Sequence, residues 1–341
     1  MFGKPWGRLF RVSTVLNRWR SPCPGKTMVL HLNLDFIDQF FRTAGPSGPW
    51  VGPREGARGM GKVLTADQVS DFREDGILFP VDVMSPADAA TLLARLEAVE
   101  AAHGGRLPAR LNQKPHLLHP WMNELIRHPR ILDAVEDVLG PDLLCWGAQF
   151  FAKNARDPSY VSWHQDGTYW GLSSPDVVTA WIALTPSLPE NGCMQVVPGT
   201  HRAQVAHVDT FAEANLLSRG QEIRVEVRPE EVVPVVLQAG QMSLHHVLIF
   251  HGSEPNTADC RRVGFAIRYI PTHVRQLNAA RESATLVRGV DRHDYFELEP
   301  PPEADMHPDA VARHAAILER QLKILYAGST QPGKLGGGVP R

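Results

Sequence analysis

Val161-Ser162-Trp163-His164-Gln165-Asp166-Gly167-Thr168-Tyr169-Trp170 is the stretch around which the chain is organised. Read as an extended segment, it sends successive side chains to opposite sides with period two, so His164 and Asp166 share a side. An imidazole nitrogen and a carboxylate oxygen can then meet one metal ion. The chain around this stretch has the same extended texture. From Leu143 onward, short apolar or alternating runs follow one another at 143–153, 178–184, 193–197, 222–227, 232–237, 242–251 and 262–270, separated by turn residues. Many short strands with glycine and proline punctuation read as a β-sandwich or jelly roll.

Upstream of Leu143 the pattern is helical. Thr65-Ala66-Asp67-Gln68 has the spacing of a capping box and opens a helix that Gly76 ends, before a short strand at Ile77-Leu78-Phe79-Pro80. Ser85-Pro86 starts a second helix, with Leu92, Leu93, Leu96 and Val99 at helical spacing and Gly104-Gly105 as its stop. A third helix is expected over 123–139, closed by Gly140-Pro141, and a last one over about 309–326, stopped by Gly328. Residues 279–308 read mostly as loop. The polar segment Asn112-Gln113-Lys114-Pro115-His116 reads as an exposed loop, or as a flap over a pocket. Residues 44–61 are rich in glycine and proline and read as a linker. Residues 1–34 hold six basic residues and no acid. An organelle transit segment would share that bias, but no long apolar core or cleavage signal follows, so a disordered extension or a true start at Met28 is preferred. The organisation expected is an extension and linker over 1–62, one domain over 63–328 and a flexible tail over 329–341.

Composition narrows the function classes. A chain of 341 residues with 43% hydrophobic and 21% charged residues can bury a sizeable core. A net charge of −2 gives no basic footprint for nucleic acid. No apolar run approaches the ~20 residues that span a bilayer. The four cysteines (Cys23, Cys145, Cys193, Cys260) form no C-x-x-C pair, which argues against a zinc ribbon or disulfide scaffold and fits a reducing, cytoplasmic setting. The partner expected is a small-molecule substrate.

Two ligands hold a metal poorly, so His164 and Asp166 call for a third one downstream. Leu248-Ile249-Phe250-His251-Gly252-Ser253 supplies a candidate in His251, with His245 and His246 as rivals. On one regular strand His245 shares parity with His251, whereas His246 faces the other way. Two histidines and a carboxylate on one face of a metal, with positions left open, is the arrangement of non-haem Fe(II) oxygenases.

Three features together carry a resemblance: Trp163-His164-Gln165-Asp166, then Glu190-Asn191-Gly192-Cys193-Met194-Gln195-Val196-Val197-Pro198-Gly199-Thr200-His201, then His251-Gly252-Ser253 with Asn256 and Arg262. On these residues the chain resembles the phytanoyl-CoA hydroxylase-like family of Fe(II)/2-oxoglutarate dioxygenases, over about residues 64–269. The resemblance implies an α+β fold with a double-stranded β-helix (jelly-roll, cupin-like) core and flanking helices. It implies Fe(II), 2-oxoglutarate and O2 as cofactor and co-substrates. It selects His251, which precedes Gly-Ser and an arginine at the family's spacing, so the metal ligands and catalytic residues implied are His164, Asp166 and His251.

A 2-oxoglutarate site needs a cation for the distal carboxylate, and the planar fork of arginine suits it. Arg262 lies eleven positions after His251, where the family carries that arginine; Arg261 has the opposite parity and should face away as a solvated charge. Ser253 resembles the family serine that touches the same carboxylate. Gln149 and Lys153 precede the metal motif and are candidates to touch 2-oxoglutarate or substrate. Gln165 should point away from the metal. Arg268 shares the parity of Arg262 and is either a second pocket cation or a rim salt bridge. Tyr169 and Trp170 either line the substrate cavity or pack in the core. The Asn191-Gly192 and Pro198-Gly199 pieces read as turns and His201 as a structural hydrogen-bonder. The reaction implied is hydroxylation of an unactivated C–H bond with release of succinate and CO2. Related halogenases have a small residue where Asp166 stands, so a carboxylate there favours hydroxylation. Desaturation or ring closure at the same centre, and a non-oxidative cupin-like binding protein, are the competing readings.

Overall fold

In the computed structural model, which describes residues 61–279 and 281–327, Thr65 caps α1 (Ala66–Asp75) through the reciprocal capping box with Gln68. Gly76 ends that helix in the left-handed region, φ 74°, a conformation only glycine adopts without strain. Ser85 caps α2 (Pro86–Ala102) by accepting from the Asp88 N–H. The short helix α3 (Ala109–Asn112) follows. The single helix expected over 123–139 is two, α4 (Pro120–Leu125) and α5 (Pro129–Leu139). Pro129 lacks the N–H that a continuing helix requires and crowds the preceding turn, so the chain breaks and Pro129 opens a new helix. The last helix, α6, spans Pro308–Leu325. The expectations for the N-terminal extension, nearly all of the linker, the stop at Gly328 and the tail lie outside the described residues.

The strands are β1 (Ile77–Asp82), β2 (Leu143–Lys153), β3 (Val161–His164), β4 (Val178–Ala183), β5 (Met194–Val197), β6 (His207–Asp209), β7 (Gln221–Ile223), β8 (Val233–Pro234), β9 (Gln241–His246), β10 (Phe250–Ser253), β11 (Arg262–Pro271), β12 (Glu282–Arg288) and β13 (Phe296–Leu298). They form a sheet ordered β1-β9-β4-β11-β2-β12-β13, a second ordered β3-β10-β5-β8, and the small pair β6-β7. Helix residues such as Ile131, Val135 and Val138 pack with Val263, Phe265, Ile267 and Tyr269 in one apolar cluster. Trp181 and Ala266 cluster instead with Met194, Val196 and Ile249. The alternation along β11 therefore divides the large sheet into a helix-covered face and a face turned to the second sheet. This is the α+β jelly roll with flanking helices.

Three readings of the sequence are corrected. The run 242–251 is two strands in different sheets, β9 and β10, with a turn at 247–249 closed by Ile249 N–H donating to the His246 carbonyl. The span 279–308 contains β12 and β13, whose Glu, Ser and Thr content hid their burial. Residues 112–116 are neither flap nor exposed loop. Asn112 exchanges two hydrogen bonds with the Phe150 backbone, at 2.9 and 2.8 Å. Lys114 is buried against Glu299 and the Ser283 carbonyl, and Ser283 and Thr285 hydroxyls complete the shell of Glu299. Burial pushes that carboxyl up, but Lys114 and His116 outweigh it and hold it at about 2.

One glycine in this core is irreplaceable. At Gly264 a Cβ would overlap the Trp181 ring, which lies across the strand face, the close approach that a mid-strand glycine marks. Gly264→Ala is expected to cost about 1–3 kcal/mol of stability through overpacking. Urea unfolding checks it, and a midpoint unchanged from wild type would contradict that packing.

Candidate metal centre

The second sheet brings the histidines together. His164 ends β3 and pairs in register with His251 on β10, and their rings lie 4.0 Å apart. Each Nδ1 faces a backbone carbonyl: Ser162 O at 2.9 Å and His251 O at 3.0 Å for His164, Ile249 O at 3.0 Å for His251. Nδ1–H donation to those carbonyls assigns the tautomer and leaves both Nε2 atoms as acceptors, as metal-ligating histidines require. The paired strand ends at His164, but Gln165 remains extended (φ −113°, ψ 135°) and faces away, so Asp166 returns to the side of His164. Asp166 then begins a single 3-10 turn (Asp166–Tyr169), anchored by its N–H donating to the Val247 carbonyl at 2.9 Å. Asp166 Oδ1 lies 3.3 Å from His164 Nε2 and 4.0 Å from His251 Nε2. One ligand atom from each of the three residues lies within 4.8 Å of the others.

All three side chains are buried. Burial pushes the Asp166 carboxyl up, yet His164 and His251, when protonated in the absence of metal, and Arg268 hold it far below the usual carboxylate range. Burial, then His164, depresses His251. The set is therefore one carboxylate and two imidazoles with free nitrogens, a donor chemistry that fits Fe(II).

The triad opens into a cavity between the sheets, of about 50 Å³. Arg262 also lines it, buried, with its guanidinium 5.3 Å from the Trp181 ring and no hydrogen-bond partner for Nε among the described residues. Burial lowers it to about 10, so it stays charged. Its register partner on β2 is Lys153. The Lys153 ammonium donates to Ser253 Oγ at 2.7 Å and to the Glu254 carbonyl; burial first, then the charge of Arg262, pushes it down to about 7. Arg262 and Ser253 thus line the cavity, with Lys153 outside the lining and donating to Ser253. Gln149 is buried opposite Ala266 on the same strand but outside the cavity lining.

Other residues singled out in the sequence are placed elsewhere. Gln165 points away from the triad, donating to the Ala203 and Leu248 carbonyls and accepting from the Val205 N–H. Arg261 does face away, but is held by Glu100 on α2 at 2.6 and 2.8 Å instead of by solvent. His201 reaches the Arg73 carbonyl at 3.3 Å and lies beside His246. Tyr169 donates to Asp209 at 2.7 Å beneath the Arg219 guanidinium, and Trp170 packs on Trp146; neither lines the cavity. His245, though on another strand, comes within 5.1 Å of the His251 ring. Lining residues that the sequence reading missed include Phe151, Thr179, Trp181 and Met194. β4 is buried on both faces, so its run shows no alternation to mark Thr179 and Trp181 as inward.

Comparison with known proteins agrees with this geometry. Residues 72–264 match the family model described as phytanoyl-CoA dioxygenase (PhyH). A relative named probable alpha-ketoglutarate-dependent hypophosphite dioxygenase, from Stutzerimonas stutzeri, is 30% identical over 162 residues, covering 46% of this chain and 55% of that protein. The chain thus spans about half the length of this curated relative. A solved structure titled non-heme monooxygenase, ThoJ apo, is 36% identical with a TM-score of 0.68, covering 76% of this chain and 97% of that one. Another, CytC3 with Fe(II) and alpha-ketoglutarate, is 25% identical with a TM-score of 0.52, covering 69% of this chain and 93% of that one.

Proposed function

The chain belongs to the phytanoyl-CoA dioxygenase family, and on that premise we propose that it is an Fe(II)- and 2-oxoglutarate-dependent dioxygenase hydroxylating an unactivated C–H bond of a small molecule. The observation that carries this reading is the convergence of His164, Asp166 and His251, with ligand atoms within 4.8 Å, on a cavity that buried Arg262 also lines. Residues 63–328 form the catalytic domain in this reading.

His164 and His251 would hold iron through Nε2, with each Nδ1–H fixed on a backbone carbonyl so that ring orientation is set before metal arrives. Asp166 would supply the third ligand and one negative charge. Bound iron with 2-oxoglutarate and O2 supplies oxidative decarboxylation to succinate and CO2 coupled to oxygen insertion into the substrate. The chain's own part is positioning and exclusion of water. Arg262 would grip the distal carboxylate of 2-oxoglutarate, with Ser253 Oγ and Lys153 Nζ beside it. Trp181 and Phe151 would wall the cavity against solvent. No described helix is long and apolar enough to cross a membrane.

The test is succinate formation. Iron-loaded protein incubated with 2-oxoglutarate and a metabolite panel is expected to release succinate, with at least one compound raising the rate and gaining an oxygen atom by mass. No succinate with any compound would favour a non-oxidative binding protein.

A further inference from the structure

Arg268 has no place in the centre described so far. It is only 9% exposed, points into the same cavity as the triad, and its Nε has no hydrogen-bond partner among the described residues. It makes no ion pair with a described carboxylate; its nearest aromatic neighbour is Trp170, at 5.3 Å. A buried guanidinium left in that condition is costly unless a ligand completes it.

Its neighbours on the sheet share the condition. In register, Arg268 on β11 pairs with Thr179 on β4, and Thr179 pairs with His245 on β9. The three stand in one row across adjacent strands, on the inward face, at the ~4.8 Å strand spacing. All three line the cavity. Thr179 Oγ1 and His245 Nδ1 are buried and, like Arg268 Nε, without hydrogen-bond partners among the described residues. The row therefore presents one guanidinium beside a hydroxyl and an imidazole, each with a polar atom open to a hydrogen bond.

The row and Arg262 occupy different levels of β11: the two arginines are six residues apart, about 20 Å of strand between their Cα atoms. Arg268 also lies on the triad's side: its charge acts on Asp166, whereas the acids acting on Arg262 are Cys193 and Asp157. Resting on the functional reading above, we propose that Arg268, Thr179 and His245 form a second anion subsite that receives a carboxylate of the substrate, so that the substrate class is a small carboxylic acid. A single planar guanidinium fork flanked by a hydroxyl and an imidazole matches a planar carboxylate; a phosphate dianion would call for more cations.

The experiment uses the full chain loaded with Ni(II), with and without 2-oxoglutarate. Calorimetry measures binding of propionate, benzoate and L-proline, each against its uncharged-carboxyl methyl ester. At least one acid is expected to bind ten-fold or more tightly than its ester, the effect of one charge-assisted hydrogen-bonded contact. Arg268→Met should close that gap while leaving 2-oxoglutarate affinity within about two-fold of wild type. Thr179→Val, nearly isosteric, should narrow the gap several-fold and guards against an Arg268→Met protein that fails to fold. Three results would overturn the subsite: no acid outbinding its ester, a gap that survives Arg268→Met, or a loss confined to Ni(II) affinity, which would make Arg268 a positioning residue for Asp166. Failure of 2-oxoglutarate to bind wild type would count against the functional reading alone, since the acid–ester gap is measured without it too.

Discussion

Asp166→Ala is expected to lower iron affinity by about 10²–10³-fold and to abolish measurable succinate release at iron concentrations that saturate wild type. The magnitude follows from ligand number. A four-ligand protein site binds its divalent ion with about 10–16 kcal/mol, hence about 2.5–4 kcal/mol per ligand, and this site has only three. Asp166 also carries the only negative charge of the triad. Folding should survive the change, because the substitution removes a charge buried beside two imidazoles and adds no bulk. Anaerobic metal titration alongside the succinate assay measures both effects, with circular dichroism as the check on folding. Retention of both iron binding and turnover would exclude Asp166 as a ligand.

Arg262→Met should raise the 2-oxoglutarate requirement by at least about 30-fold, the 2 kcal/mol or more lost when one partner of a buried charge pair is truncated. Turnover at saturating 2-oxoglutarate should fall much less, since the lost contact holds co-substrate equally before and during reaction. Arg261→Met is the matched control. Arg261 points to α2 and pairs with Glu100, so its loss should touch stability and leave the 2-oxoglutarate KM unchanged. Equal KM values for wild type and Arg262→Met would remove Arg262 from the co-substrate site.

The legible part of this chain was the part governed by local rules. Thr65 and Gln68 announce a helix start, Gly76 its end, and the residues from Leu143 to Lys153 a strand that the fold realises over the same span. His164 and Asp166 were found by residue type and spacing and His251 through the family resemblance, and the three do converge. The local rules mislead where tertiary burial decides. Glu282, Ser283 and Thr285 look like loop residues until Trp146, Gln276, Lys114 and Glu299 are seen to satisfy them or their neighbours. Parity placed His245 on the side of His251 as though one strand joined them. In fact β9 and β10 belong to different sheets, and the two rings approach because both inner faces meet one cavity. Tyr169 and Trp170, adjacent to the metal motif in sequence, turn away from the cavity because the 3-10 turn at Asp166 redirects the chain. The wall facing the triad comes instead from β4 and β11, whose continuous burial erases the pattern that would have marked it.

The most direct measurement is a crystal structure of the full chain with Mn(II) in place of iron and 2-oxoglutarate, read by anomalous scattering at the manganese edge. The expected result is one metal peak coordinated by His164 Nε2, His251 Nε2 and an Asp166 carboxylate oxygen, with 2-oxoglutarate chelating it and its far carboxylate on Arg262 and Ser253. A metal bound through His245 in place of one of these three, or a co-substrate whose far carboxylate lies away from Arg262, would contradict the assignment.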